Sequence, residues 1–130
     1  MTKTRTNTLG ERLLSETTGW PKSWEGVRED IPLGRDLVEV MLPFLRGLVA
    51  SGAARTTLRR HFGNAWVLGG HIVRDASFDR PAQHASAREL VLDAVEEDGG
   101  PLISDFVTEE QQQSFDSTCR QLCRFLRKRR

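Results

Sequence analysis

A chain of 130 residues, 28% charged and 38% hydrophobic with a formal net charge of +1, has the composition of one ordinary globular domain. At this length a single core buries roughly two-thirds of the unfolded surface, so no disulfide or metal is needed to hold it, and two unrelated domains do not fit. No apolar run approaches the ~18 residues of a membrane span, and the opening stretch lacks the apolar segment of a secretory leader, so a cytoplasmic protein is expected.

Residues 1–11 are Thr-rich and polar, with Met1 and Leu9 the only apolar side chains, and read as a flexible arm carrying Lys3 and Arg5. Residues 12–130 read as a single helical domain. In Trp20-Pro21-Lys22-Ser23-Trp24, Pro21 biases Trp20 toward an extended conformation. The two indoles either cover an edge of the domain or offer an aromatic anchor to a protein partner.

Leu37, Val40, Met41, Phe44, Leu45 and Leu48 recur at helical spacing and predict a helix over 33–50. Pro43 lies inside it; lacking an amide hydrogen, it predicts a kink or a break there. Ser51-Gly52 ends this helix, glycine being suited to a left-handed cap. A second helix is predicted over 54–75, and Gly63 and Gly69-Gly70 within it point to close packing against another helix, or else to a local break, since each helical glycine costs about 1 kcal/mol relative to alanine.

At 100° per residue, Leu58, Phe62, Ala65, Trp66, Gly69, Ile72 and Val73 fall on one side of this second helix. Thr56, Arg59, Arg60, Asn64, His71 and Arg74 fall on or toward the other, and Arg55 sits at the helix start. Such a set of donors suits phosphates and base edges, although a plain solvated face has the same look. Charge along the chain sharpens the first reading. From Val40 to Arg74 there are five arginines and no acid, which removes the usual i,i+4 partners. Glu89 to Asp116 holds nine acids and no base, and Ser117 to Arg130 six bases and no acid. The acidic block could meet a basic protein surface.

Ser86-Ala87-Arg88-Glu89 has the pattern of a capping box opening a helix to about Asp98, halted by Gly99-Gly100-Pro101. Glu96, Glu97 and Asp98 would then crowd a helix C-terminus, against the macrodipole. The last helix begins near Thr108, with Glu109 and Glu110 in its first turn. Phe115, Cys119, Leu122 and Leu126 form its apolar stripe, and Arg120, Arg124, Arg127 and Lys128 project away from it as a second basic face. Cys119 and Cys123 read as small core residues, and no spacing ties them, the three histidines or the acids into a metal site.

No GxSxG, HExxH, P-loop or GxGxxG pattern occurs, so a non-catalytic protein without cofactor is expected. The segments SGAARTTLRRHFGNAWVLGGHIVRD and SFDSTCRQLCRFLRK together resemble the helical core-binding (SAM-like N-terminal) domain of tyrosine recombinases and integrases. The likeness runs from about Leu37 to Lys128, with Ser114, Thr118, Leu122, Phe125 and Leu126 in the later helix. It implies a four-helix DNA clamp with Thr56, Arg59, Arg60 and Arg124 toward DNA. The chain has no tyrosine, so the family's arginine-histidine-tyrosine catalytic set cannot be assembled. A stand-alone version would be an accessory or regulatory factor of a mobile element. A helix-turn-helix with Ser51-Gly52-Ala53 as the turn and 55–61 as the reading helix is the local alternative. The sequence thus predicts a compact all-α bundle of four to five helices that binds nucleic acid, double-stranded DNA above all. The contacts would come from Arg55, Thr56, Arg59, Arg60, Asn64, Arg74, Arg120, Arg124, Arg127 and Lys128. The different-class reading is a protein-interaction module, a subunit or inhibitor of a larger nucleoprotein assembly.

Overall fold

The structure, a computed structural model, describes residues 5–78, 86–106 and 108–128; Lys3, Pro81, His84, Arg129 and Arg130 lie outside them. The described chain is all-α: α1 (Arg5–Glu16), a 3-10 turn (Thr17–Gly19), the short α2 (Trp20–Ser23), α3 (Asp30–Ala50), α4 (Arg55–Phe78), α5 (Ala87–Ala94) and α6 (Glu109–Lys128). An isolated bridge between Glu96 and Gly99 is the one β-type pairing among these residues.

The periodic apolar residues make the core as their spacing predicts. Leu37, Met41 and Leu45 of α3, Leu58 and Leu68 of α4, Val91 of α5, and Phe115 and Leu122 of α6 are all buried in one cluster. Each such side chain contributes about 1.5–3 kcal/mol by leaving water. Both capping predictions hold. Ser86 Oγ accepts from the Glu89 amide at 3.1 Å. Thr108 Oγ1 accepts from the Gln111 amide at 3.1 Å, while Gln111 Oε1 accepts from the Thr108 amide at 3.2 Å.

Four expectations need correction. Trp20, predicted extended ahead of Pro21, has helical φ −61° and ψ −44° with its N–H donating to the Thr17 carbonyl; before it, α1 runs so close to α3 at Gly10 that a Cβ there would lie 2.6 Å from Val49 Cγ1, and Leu9 is buried. Pro43 does not break α3, which runs unbroken to Ala50; the carbonyl it leaves without a donor belongs to Glu39, an exposed residue open to water. The helix predicted to Asp98 ends at Ala94, where Val95 turns extended, so Glu96, Glu97 and Asp98 sit on a turn and not on a helix end. Gly99 and Gly100 set that turn against α6: a Cβ on either would fall within 2.7 Å of Asp116 or Cys119.

The fourth concerns Trp24. It is no surface anchor: its indole lies on Gly69, where a Cβ would come within 2.3 Å of two ring carbons, and its Nε1 donates to the Trp66 carbonyl at 3.0 Å. Close packing thus holds at Gly69 and Gly70 but not at Gly63, where a Cβ would meet nothing within 4 Å, and α4 runs unbroken through all three. Trp20 is half-buried and stacks obliquely on Trp24, ring centroids 5.8 Å apart.

Candidate nucleic-acid interface

Two polar cross-links fix how α4 and α6 lie together. His61 Nδ1 is 2.8 Å from Thr118 Oγ1, and Asn64 Nδ2 donates to the Ser114 carbonyl at 3.1 Å and to Thr118 Oγ1 at 2.9 Å. Residue numbers rise on one helix as they fall on the other, so the pair is antiparallel, and the same register sets Arg124 level with Arg55. Helix α3 is antiparallel to α4 as well: Asp30 meets Ser77, and Phe44 packs edge-on against His61. Phe44 also meets Phe125, ring centroids 5.8 Å apart. The start of α4 and the ends of α3 and α6 therefore share one end of the bundle.

Onto that end fall Arg55, Thr56, Arg59 and Arg60 from α4 and Arg124, Arg127 and Lys128 from α6, all exposed. Arg46 of α3, also exposed, joins them without having been singled out as a contact. Among the described residues no ion pair holds Arg59, Arg60, Arg124 or Lys128. Arg127 donates through Nε to Cys123 Sγ at 3.1 Å, and this bond, together with Glu97 nearby, raises its pKa further above the ordinary arginine value. The first turn of α4 contains no acid, and Ala54 before it has no side-chain acceptor, so the positive end of the helix dipole adds to the arginines.

Three other predicted contacts stand apart. Asn64 is half-buried with its amide donors engaged by α6. Arg120 is half-buried and donates to the Asp98 carbonyl at 3.3 Å, bracing the 96–99 turn. Arg74 is exposed but lies four turns along α4 from Arg60, about 21 Å away. The helix-turn-helix alternative is also corrected. Helices α3 and α4 run antiparallel along their lengths as an αα-hairpin around Gly52 at φ 76°, and Leu58 and His61, within its reading helix, are buried.

His61 is a core residue: burial, then the charge of Arg60, holds its pKa below the ordinary 6.5. Cys119 and Cys123 are free and buried, as predicted, and burial with help from Asp116 pushes the Cys119 thiol up to about 12. No group of three or more potential metal ligands occurs among the described residues. No described helix is long and apolar enough to cross a membrane. The nine acids of the 89–116 block are divided between helix starts, one packed turn and open surface. Glu89, Glu109 and Glu110 lie in first helical turns, and Asp116 Oδ1 accepts from Gly100 and Gln112, while Glu96, Glu97 and Asp98 stay exposed.

One feature escaped the sequence. Val27, Trp66 and Leu102 are the large hydrophobic residues left exposed among those described, and all three line one groove of about 1020 Å³ at the other end of the bundle. Glu25, Asp30, Asp75 and Asp105 border it together with the exposed Arg74, and His71 pairs with Asp75 at 3.2 Å. Val67, the residue that interrupts the polar face of α4, is part of its lining. The signal available was Trp66 itself, 80° from Leu58 on the wheel and so at the margin of the apolar face.

Comparison with protein-family models, with curated proteins and with solved structures finds no match for this chain.

Proposed function

We propose that this is a non-catalytic nucleic-acid-binding protein that grips double-stranded DNA with the basic end of its bundle. The observation that carries the reading is a set of exposed bases, Arg59 and Arg60 in the first turns of α4 and Arg124 and Lys128 in the last turns of α6, none ion-paired to a described residue, with an acid-free helix N-terminus beside them. Guanidinium groups without internal partners are free to replace the counterions of a phosphate backbone. The resemblance to the core-binding domain of tyrosine recombinases points the same way, and with it the role of an accessory or regulatory factor of a mobile element acting in the cytoplasm. The absence of any tyrosine is consistent with a role that leaves strand cleavage to another protein.

The test is a fluorescence-anisotropy titration against a labelled duplex at several salt concentrations. Binding is expected to weaken with a log-log slope of several units, about 0.9 per neutralised phosphate, and to be lost in the Arg59→Ala/Arg60→Ala double variant. Arg74→Glu, which makes a charge change remote from the basic end, is expected to weaken binding far less than Arg124→Glu. A folded, helical protein that binds no duplex at low salt overturns the proposal.

The groove of Val27, Trp66 and Leu102 favours a second reading, the protein-interaction module. Its carboxylate border suits an apolar segment carrying basic residues, as a nucleoprotein subunit would offer. Leu102→Asp would then abolish partner capture and leave duplex binding intact, whereas Arg59→Ala/Arg60→Ala would do the reverse.

A further inference from the structure

A second, smaller cleft of about 350 Å³ opens beside Arg59, walled by Trp20, Phe62 and Trp66 with Gly63 and Glu16. That volume lies in the lower part of the range of small-ligand sites. Arg59, Phe62, Gly63 and Trp66 are spaced i, i+3, i+4 and i+7, so they form one stripe of α4. Trp20 enters from α2 and meets Phe62 edge-on, ring centroids 6.5 Å apart. The Trp66 indole is held by a hydrogen bond from Nε1 to Ser23 Oγ at 2.9 Å, yet remains 42% exposed. At Gly63 the cleft is open, since a Cβ there would meet nothing within 4 Å.

Indole faces held in place beside a guanidinium without an ion-pair partner are what a nucleotide requires. The base stacks on the Trp66 ring, and its phosphate meets the guanidinium of Arg59 two helical turns back along α4, about 10.5 Å between the two backbone positions at 1.5 Å per residue. An apolar ligand would gain nothing from Arg59, and a bare phosphate nothing from the indoles. Glu16 is an exposed carboxylate on the same cleft and accepts from an exocyclic amine, which adenine, cytosine and guanine carry and thymine lacks. We infer that this cleft takes an unpaired, amine-bearing nucleobase of the nucleic acid held by the basic end, with the adjoining phosphate on Arg59. The inference rests on the nucleic-acid reading proposed above.

The experiment compares a fully paired duplex with one carrying a single bulged 2-aminopurine, following anisotropy and 2-aminopurine fluorescence. The wild-type chain is expected to bind the bulged duplex on the order of tenfold tighter and to quench the probe, stacking being worth about 1–3 kcal/mol per base. Gly63→Leu fills the cleft from an exposed helical position and is expected to abolish both the preference and the quenching while keeping affinity for paired duplex within about twofold. Trp66→Leu, which removes a stacking face without filling the cleft, is expected to act likewise. Equal binding of both duplexes with unchanged fluorescence overturns the nucleobase site and leaves the nucleic-acid reading standing. No binding of either duplex overturns both. Saturable quenching of the free 2-aminopurine nucleoside 5′-phosphate without duplex binding reassigns the cleft to a free nucleotide and overturns the strand proposal.

Discussion

Gly63 and Gly69 belong to the same helix, and alanine at each is expected to shift stability in opposite directions. Replacing a glycine inside a helix gains about 0.5–1 kcal/mol from backbone entropy at either position. At Gly63 nothing opposes that gain, since a Cβ would meet no atom within 4 Å. At Gly69 the new Cβ would lie 2.3 Å from Cη2 and Cζ2 of Trp24 and 3.0 Å from Cε2, far inside contact distance. The indole is only 9% exposed and tied to the Trp66 carbonyl, so it cannot withdraw without losing that bond. Overpacking costs about 1–3 kcal/mol and a stranded indole N–H about 1–3 more. Net of the helix gain of about 0.5–1 kcal/mol, Gly69→Ala is expected to destabilise by about 1–5 kcal/mol, or roughly 3–5 °C in Tm per kcal/mol for a domain of this size. Urea unfolding followed by far-UV circular dichroism reads both variants, with the midpoint rising for Gly63→Ala and falling for Gly69→Ala at constant m. A Gly69→Ala protein as stable as the wild type would mean that Trp24 is not seated on α4, and the account of the α2–α4 contact would fail with it.

Thr118→Val leaves Asn64 and His61 without their shared hydroxyl and is expected to lower the unfolding free energy by about 1–3 kcal/mol; an unchanged urea midpoint would dismiss the network as a stabilising element. His61 has a folded pKa below 6.5, so its contribution is intact above about pH 6.5 and is lost as the pH falls, the unfolded chain taking up the proton first. His61→Gln should flatten that part of a midpoint-against-pH curve, and a curve of the same shape in both proteins would count against the assignment. With the Cys119 thiol pushed up to about 12 and Cys123 buried beside it, neither should be alkylated by iodoacetamide in the folded protein at about pH 8, and both should react in urea. Rapid native-state labelling would show the α6 stripe to be open.

The bundle was legible because its helices carry strong signals of their own. Leu37, Met41 and Leu45 repeat at one period, Ser86 and Thr108 cap where caps belong, and the glycine pair in α4 announced a close neighbour. What periodicity cannot supply is the identity of that neighbour, since Trp24 reaches Gly69 from 45 positions away in the chain. For the same reason the burial of Leu9 has little local signal: it stands alone among polar neighbours, and what lies beside it is Val49, forty residues on, which Gly10 lets come close. The candidate site was legible in residue type and less so in purpose. Asn64 and Arg120 offer the donors a nucleic acid would use, yet Ser114, Thr118 and the Asp98 carbonyl already take them. A polar face on a wheel does not distinguish a donor bound within the protein from one left to solvent.

The charge blocks acquire a spatial meaning only through the antiparallel packing. The acid-free stretch from Val40 to Arg74 is folded at Gly52, so the arginines near the turn gather at one end while Arg74 is carried to the other. Helix α6 then returns Arg124, Arg127 and Lys128 to the first end, where the C-terminal dipole of α6 favours them. The opposite end receives Glu25, Asp30, Asp75 and Asp105 around the groove. A formal net charge of +1 therefore conceals an uneven spread, with exposed bases toward one end and four carboxylates around the groove, while Glu97 stands near Arg127 and Arg74 lines the groove. Trp66 lines both the groove and the cleft beside Arg59, so the two proposed surfaces meet at one indole, and a partner seated in the groove is expected to compete with an unpaired base for it.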